Sequence, residues 1–242
     1  MQKQVNKSRR STIKWGAGAL FFGALFGGGA YIAPKLHANE TLLRPPGALK
    51  ELSFLATCIK CGQCVQVCPY HCLELLDITH GSSVGTPHID ARARGCYLCD
   101  LLPCVLACPS GALDHGVTDA TDVHMGIAFL KRPDRCLAML GESVTKEAIS
   151  PMLTHSNKNE REAAVLEKVE SYVGKPCTLC ADMCPYPEPE LAIGMVQDEN
   201  GRLYPEIREA CVGCGVCEEV CPTSGEAAIV ILPRETYEKV YG

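Results

Sequence analysis

Apolar residues along this 242-residue chain fall mostly in short runs, and few hold a helical period for long. Ile127 to Leu130, Ala192 to Val196, Leu203 to Ile207 and Ala228 to Leu232 read as short strands. Asn200-Gly201 between the middle two marks a hairpin turn. Glu51 to Thr57 predicts a short helix, and Pro45-Pro46 keep residues 39–49 extended before it. Short helices are also expected over Cys72–Leu76 and Ser110–Leu113, because each follows a proline that suits a first helical turn. The clearest helical period is Asn159 to Val173, which sets Leu166, Val169 and Val173 on one face. That helix belongs to a polar stretch, 141–175, containing Pro151. It reads as an insertion laying a narrow apolar face on its module, with a partner-docking helix as the alternative. The pattern as a whole is α+β.

The longest apolar stretch is elsewhere. Trp15 to Ala33 are nineteen residues without a charge, preceded by Ser8-Arg9-Arg10-Ser11-Thr12-Ile13-Lys14. Twin arginine before a glycine-rich apolar run resembles a Tat export signal, and Leu36-His37-Ala38 offers a cleavage site. Such a run also matches a ~30 Å bilayer core, so an uncleaved anchor is the competing reading of 1–38. Either way, the reading places the rest of the chain in the periplasm, free or attached to the inner membrane. Residues 1–38 carry six basic residues and no acid, leaving 17 basic against 28 acidic in 39–242, a balance of −11. An acidic surface of this kind disfavours nucleic acid and favours basic protein partners.

Cysteine changes the picture most. Sixteen of the seventeen cysteines sort into four groups, each ending in Cys-Pro, once the detached Cys136 is counted with the irregular third. The first is Cys58, Cys61, Cys64 and Cys68-Pro69; the second is Cys96, Cys99, Cys104 and Cys108-Pro109. The fourth is Cys211, Cys214, Cys217 and Cys221-Pro222. The third, Cys177, Cys180 and Cys184-Pro185, lacks its leading thiol, for Gly174 stands at that position. Disulfide frameworks show no preference for this repeat, and zinc has no use for a third thiol two residues after a C-x2-C pair. Three closely spaced thiols grip one face of an iron–sulfur cube, and the thiol before proline serves the neighbouring cube.

That exchange rule gives four [4Fe–4S] clusters. Cluster one takes Cys58, Cys61, Cys64 and Cys108; cluster two takes Cys96, Cys99, Cys104 and Cys68. Cluster four takes Cys211, Cys214, Cys217 and Cys184. Cluster three has Cys177, Cys180 and Cys221, and the detached Cys136 is predicted to complete it, with 141–175 looped out between. Cys72 is left over as a small buried residue in the helix expected after Cys68-Pro69. Gly62, Gly95, Gly213 and Gly215 are read as letting the backbone approach the sulfurs. The organisation is therefore 1–38, then tandem bacterial-type dicluster ferredoxin modules, 39–120 and 121–242. The seven histidines form no metal pattern, and no nucleotide loop, haem attachment or catalytic frame is present, so the chain reads as an electron carrier rather than an enzyme.

The twin-arginine leader, LRPPGA, CIKCGQCVQVCPY, RGCYLCDLLPCVLACPSGAL and the final CVGCGVCEEVCP together resemble the NapG/MauM family of ferredoxin-type proteins. These are associated with periplasmic nitrate reductase and with methylamine utilisation. The resemblance covers nearly the whole chain after the leader, including the detached cysteine; it departs in the long 141–175 segment and at Thr12. It implies a four-cluster periplasmic subunit docking on a membrane-integral quinol-oxidising polyferredoxin. Electrons would pass on to a periplasmic c-type cytochrome or molybdenum reductase. An iron–sulfur subunit of a molybdopterin oxidoreductase, and a maturation factor for a periplasmic enzyme of the methylamine-utilisation type, are the alternatives.

Overall fold

The structure is a computed structural model that describes residues 42–153, 159–234 and 236–237. The chain divides into Met1–Ala38 and Asn39–Gly242, and every described residue lies in the second unit. The leader over 1–38 lies outside the described residues. Among the described residues no helix is long and apolar enough to cross a membrane.

Helix α1 (Glu51–Thr57) forms as the sequence predicts and buries Phe54 completely. The lead-in before it is non-helical. Arg44 is 7% exposed and its guanidinium forks onto Glu51 at 2.5 and 2.8 Å, while also donating to Thr86 Oγ1 and Pro87 O. It also lies 4.8 Å over the Phe54 ring, so one buried cation joins the lead-in, α1 and the next hairpin. After the one-turn α2 (Gln63–Gln66) come β1 (Leu73–Leu75) and β2 (Pro87–Ile89), paired antiparallel from Leu73↔Ile89 to Leu75↔Pro87.

Strand β1 corrects the helix expected over Cys72–Leu76, and Ser110–Leu113 is likewise a turn rather than a helix. The reason is local. The backbone N–H groups of Tyr70, Cys72 and Leu73 are turned toward the Cys68 sulfur closely enough to lower its pKa, and those of Ser110, Ala112 and Leu113 act on Cys108 in the same way. Donors turned onto a sulfur cannot feed a helix. Helical turns form instead inside the cysteine groups, just before each Cys-Pro: α2, then α3 (Pro103–Leu106) and two more in the second half.

The second half begins with β3 (Gly126–Leu130) and α4 (Leu137–Leu140), then the inserted helices α5 (Lys146–Leu153) and α6 (Glu160–Glu170). It continues through α7 (Leu179–Asp182), α8 (Pro189–Ala192), β4 (Ile193–Gln197), β5 (Leu203–Ile207), α9 (Val216–Glu219) and β6 (Ile229–Pro233). The four strand segments read from sequence are all present. β4 and β5 form the predicted hairpin around Asn200-Gly201, with Gly201 in the left-handed region at φ +76°. β3 pairs antiparallel with β6, from Gly126↔Pro233 to Leu130↔Ile229.

The internal repeat is visible in this topology. In each half, the chain between the two cysteine groups makes a hairpin, β1–β2 or β4–β5. In each half, the segments flanking the pair of groups meet: Ala48↔Leu113 as a single bridge, β3–β6 as a full ribbon. The halves are nonetheless one body. Arg92 reaches across to the carbonyls of Glu218, Cys221, Thr223 and Gly225 at 2.6–3.0 Å, and Cys96 N–H donates to Cys214 O at 2.7 Å.

The insertion is looped out as expected, and its stems are stitched together. Val144 N–H donates to Lys175 O, Gly174 N–H donates to Val144 O, and Ser143 bridges Pro176. Helix α6 starts at its Asn159 cap, whose side chain accepts from Glu162 N–H. It ends at Glu170, so Val173 falls past the helix and is 42% exposed; Val169 and Glu162 are the buried residues. The inserted segment packs on both halves. Lys168 and Tyr172 hold Asp182 of the second half, while Asn159 Nδ2 donates to Pro69 O of the first.

Glu162, 2% exposed, receives Arg94 at 2.7 Å and pairs with His71 at 2.9 Å. Glu162→Gln is expected to lower amide-exchange protection along Glu160–Glu170 about tenfold or more, since hydrogen bonds to charged groups are worth roughly 1.5–3 kcal/mol. Protection of the β3–β6 ribbon should not change. Equal loss in both elements would contradict a local anchoring role.

Candidate iron–sulfur centres

Sequence assigns sixteen thiols to four sets, and the fold gathers them into those sets. Cys58, Cys61 and Cys108 are the thiols near enough for their charge to raise the Cys64 pKa. Cys68, Cys96, Cys99 and Cys104 line one small cavity together with Cys72 and Leu102. Cys136, Cys177, Cys180 and Cys221 line a second, and Cys184, Cys211, Cys214 and Cys217 line a third, beside Cys180. Cys136 therefore stands where the broken third group needs a thiol. The stitched stems of the insertion bring it there despite the sequence gap.

Each set is built from the same parts. The first thiols of a group sit on a tight loop and a one-turn helix, and the Cys-Pro thiol arrives from the sister group. In the first, second and fourth groups the tight loops use left-handed residues. Gly62 and Gly215 supply them at φ +72° and +91°, and Gly213 at +68°. Lys60 and Leu98 adopt the same region in the first and second groups, at φ +58° and +46°. Neither residue type signals that conformation in sequence.

Gly95 has a different role from the one read in sequence. A Cβ there would lie 2.4 Å from Val216 N, so it admits the backbone of the other half rather than a sulfur. At Gly213 a Cβ would lie 2.2 Å from Gly126 C of β3, so close approach of backbone adds to its turn requirement.

Burial dominates the electrostatics. It pushes the Cys64 thiol up to about 11, helped by Cys58, Cys61 and Cys108, and Cys99 and Cys177 up to about 12. Burial also raises Cys104, Cys136, Cys180, Cys184, Cys214 and Cys217. Cys68 and Cys108 are the exceptions: Cys68 is held down to about 6 first by the neighbouring Cys72 thiol and then by backbone N–H groups, and at Cys108 burial is outweighed by the backbone N–H groups of Leu113, Ser110 and Ala112 and by the Ser110 hydroxyl. Buried thiols gathered in fours need a cation to become thiolates, and binding one releases their protons.

The donor set meets the chemical needs of [4Fe–4S] cubes. Four sulfurs line the cavity of each of the second, third and fourth sets, and backbone N–H groups point at ligand sulfurs, such as Ala128 on Cys211 at 3.4 Å and Ala228 on Cys221 at 3.3 Å. Among the described residues, no three His, Cys, Asp or Glu side chains converge on a site for a single ion.

The sets also touch in a fixed order. Helices α2 and α3, which carry Cys64 of the first set and Cys104 of the second, pack on each other, Cys96 N–H of the second donates to Cys214 O of the fourth at 2.7 Å, and Cys180 of the third lines the cavity of the fourth. The sequence of centres in space is one, two, four, three. At the first end Cys61 is solvent-exposed.

Comparison with known proteins agrees with this site. Residues 57–112 match a 4Fe-4S dicluster domain and residues 204–224 a 4Fe-4S binding domain. The methylamine utilization ferredoxin-type protein MauM of Methylorubrum extorquens is 34% identical over 240 residues, 97% of this chain and 93% of its own. The chain belongs to the NapG/MauM family. The ferredoxin-type protein NapG of Escherichia coli is 33% identical over 201 residues, covering 81% of this chain and 72% of that protein. NapG of Haemophilus influenzae is 32% identical over 250 residues, covering 98% and 76%. No solved structure matches the chain.

As a NapG/MauM protein it is a ferredoxin-type iron–sulfur electron carrier and not an enzyme. What sequence reasoning missed are the residues that join its parts: Arg92, Arg94, Glu162 and the Cys72–Cys68 contact at 3.5 Å. Cys72 is buried as expected, but it precedes a strand and faces a ligand position rather than sitting in a helix. Only Cys72's extra thiol carried a signal in sequence; the others depend on how the halves dock.

Proposed function

We propose that this chain is an exported relay holding four [4Fe–4S] clusters, with the sixteen assigned cysteines as ligands. It takes single electrons from a membrane-integral, quinol-oxidising polyferredoxin and passes them toward a periplasmic c-type cytochrome or molybdenum reductase. The observation that carries this reading is the succession of adjoining thiol sets through both halves, from the first set with its exposed Cys61, across the Cys96–Cys214 backbone bond, to the Cys136 set. When bound, such clusters supply one-electron transfer without proton or bond chemistry. The protein's own work is to hold the ligands, exclude water from the inner sets and fix their spacing. Arg92 and Gly95 do the last of these at the junction of the halves. The twin-arginine leader supports export and periplasmic placement, and the acid excess of 39–242 suits basic redox partners.

A second reading has its own support. The MauM relative of Methylorubrum is covered over 93% of its length, against 72% for the Escherichia coli NapG, so a methylamine-type system, including a role in maturing its enzyme, competes with nitrate reduction. An EPR-monitored redox titration with and without quinol-supplied membranes separates them from a relay role. Reduction of the clusters by quinol through membranes is the expected result. Clusters that stay oxidised under those conditions contradict the relay.

A further inference from the structure

The seventeenth cysteine is placed with more care than a filler needs. Cys72 is 4% exposed, and its sulfur lies 3.5 Å from that of Cys68, the thiol that the first group lends to the second set. It lines the same cavity as Cys68, Cys96, Cys99 and Cys104, so five thiols surround a site with four ligand positions. Two other Cys-Pro sulfurs also have a side-chain donor beside them. Ser110 Oγ lies 3.7 Å from Cys108 Sγ, and Thr223 Oγ1 donates to Cys221 Sγ at 3.8 Å. Those donors stand two residues after their cysteine. Cys72 stands four residues after Cys68 and reaches it from the entry to β1.

We propose that Cys72 is not a ligand but an S–H donor to the Cys68 sulfur, and that it raises the reduction potential of the second cluster. This rests on the four-cluster reading above. A hydrogen bond to a ligand sulfur stabilises the more negative, reduced cluster over the oxidised one. In the one, two, four, three order the second cluster is an inner station, so its potential sets how readily electrons cross from the first half to the second.

The test is EPR-monitored titration of the anaerobically purified full chain, wild type against Cys72→Ala and Cys72→Ser, with iron counted in each. Iron in the wild type tests the four-cluster reading by itself. In Cys72→Ala the full iron complement should remain, and one cluster's reduced-to-oxidised ratio at fixed potential should fall about three- to tenfold. Tenfold corresponds to ~59 mV for one electron. Cys72→Ser, with a hydroxyl donor, should recover part of the shift. An unchanged set of potentials in Cys72→Ala overturns the proposal, and so does loss of a cluster, which would make Cys72 a ligand.

Discussion

A Cys136→Ser variant should purify with one cluster fewer than the wild type and keep the other three. Cys136 lies 41 residues before Cys177 in sequence, yet both line one cavity with Cys180 and Cys221. The thiol is 8% exposed, and the backbone N–H groups of Ala138 and Met139 point at its sulfur. A serine oxygen in that position is a poor thiolate substitute for iron. The third set ends the spatial order, so its loss leaves one, two and four intact and in sequence. The cost should be in iron content and not in wholesale unfolding, because the stems of the insertion are held by backbone bonds that do not involve Cys136. Iron determination with EPR of the reduced protein reads this directly. A variant that keeps every cluster contradicts the assignment of Cys136.

Gly95→Ala should strongly destabilise the junction of the two halves. An added Cβ would sit 2.4 Å from Val216 N and 2.7 Å from both Gly215 C and Val216 Cα. All three are backbone atoms at the start of α9, the helix that carries Cys217, so no side chain can swing away to make room. The neighbouring bonds leave no slack: Gly95 N–H donates to Glu219 Oε2 at 2.8 Å, and Cys96 N–H to Cys214 O at 2.7 Å. Overpacking typically costs about 1–3 kcal/mol, and a backbone clash belongs at or above the top of that range. Gly111→Ala is the control. Its φ of +71° strains a side chain, but a Cβ there meets no atom within 4 Å, so its cost should be roughly 1–2 kcal/mol. Anaerobic thermal unfolding followed by bleaching of the visible cluster absorbance compares the two. Equal midpoints would show that the halves do not depend on close backbone contact at this junction.

These two sites mark what the sequence makes legible and what it hides. The thiol sets follow from spacing alone, because ligand geometry is imposed by the cube and is local except for the exchanged fourth thiol. The strands at 127–130, 193–197, 203–207 and 229–233 follow from short apolar runs and one Asn-Gly turn. The segments after Cys68-Pro69 and Cys108-Pro109 mislead, since their N–H groups serve sulfurs in place of a helix. Val173 misleads too: its helical spacing to Val169 continues past the residue where the chain turns back to Val144. The adjoining of the second and fourth sets and the Arg92 and Glu162 anchors are contacts between halves, and no pattern within either half encodes them.

A chain that holds four [4Fe–4S] cubes as one wire has a fixed content of iron and sulfide. Iron and acid-labile sulfide, measured per chain on anaerobically purified protein, test the four-cube reading most directly. Iron and sulfide are expected in equal amounts, equivalent to four cubes. Zinc without sulfide, or iron and sulfide for only the two cubes of the first half, would contradict it.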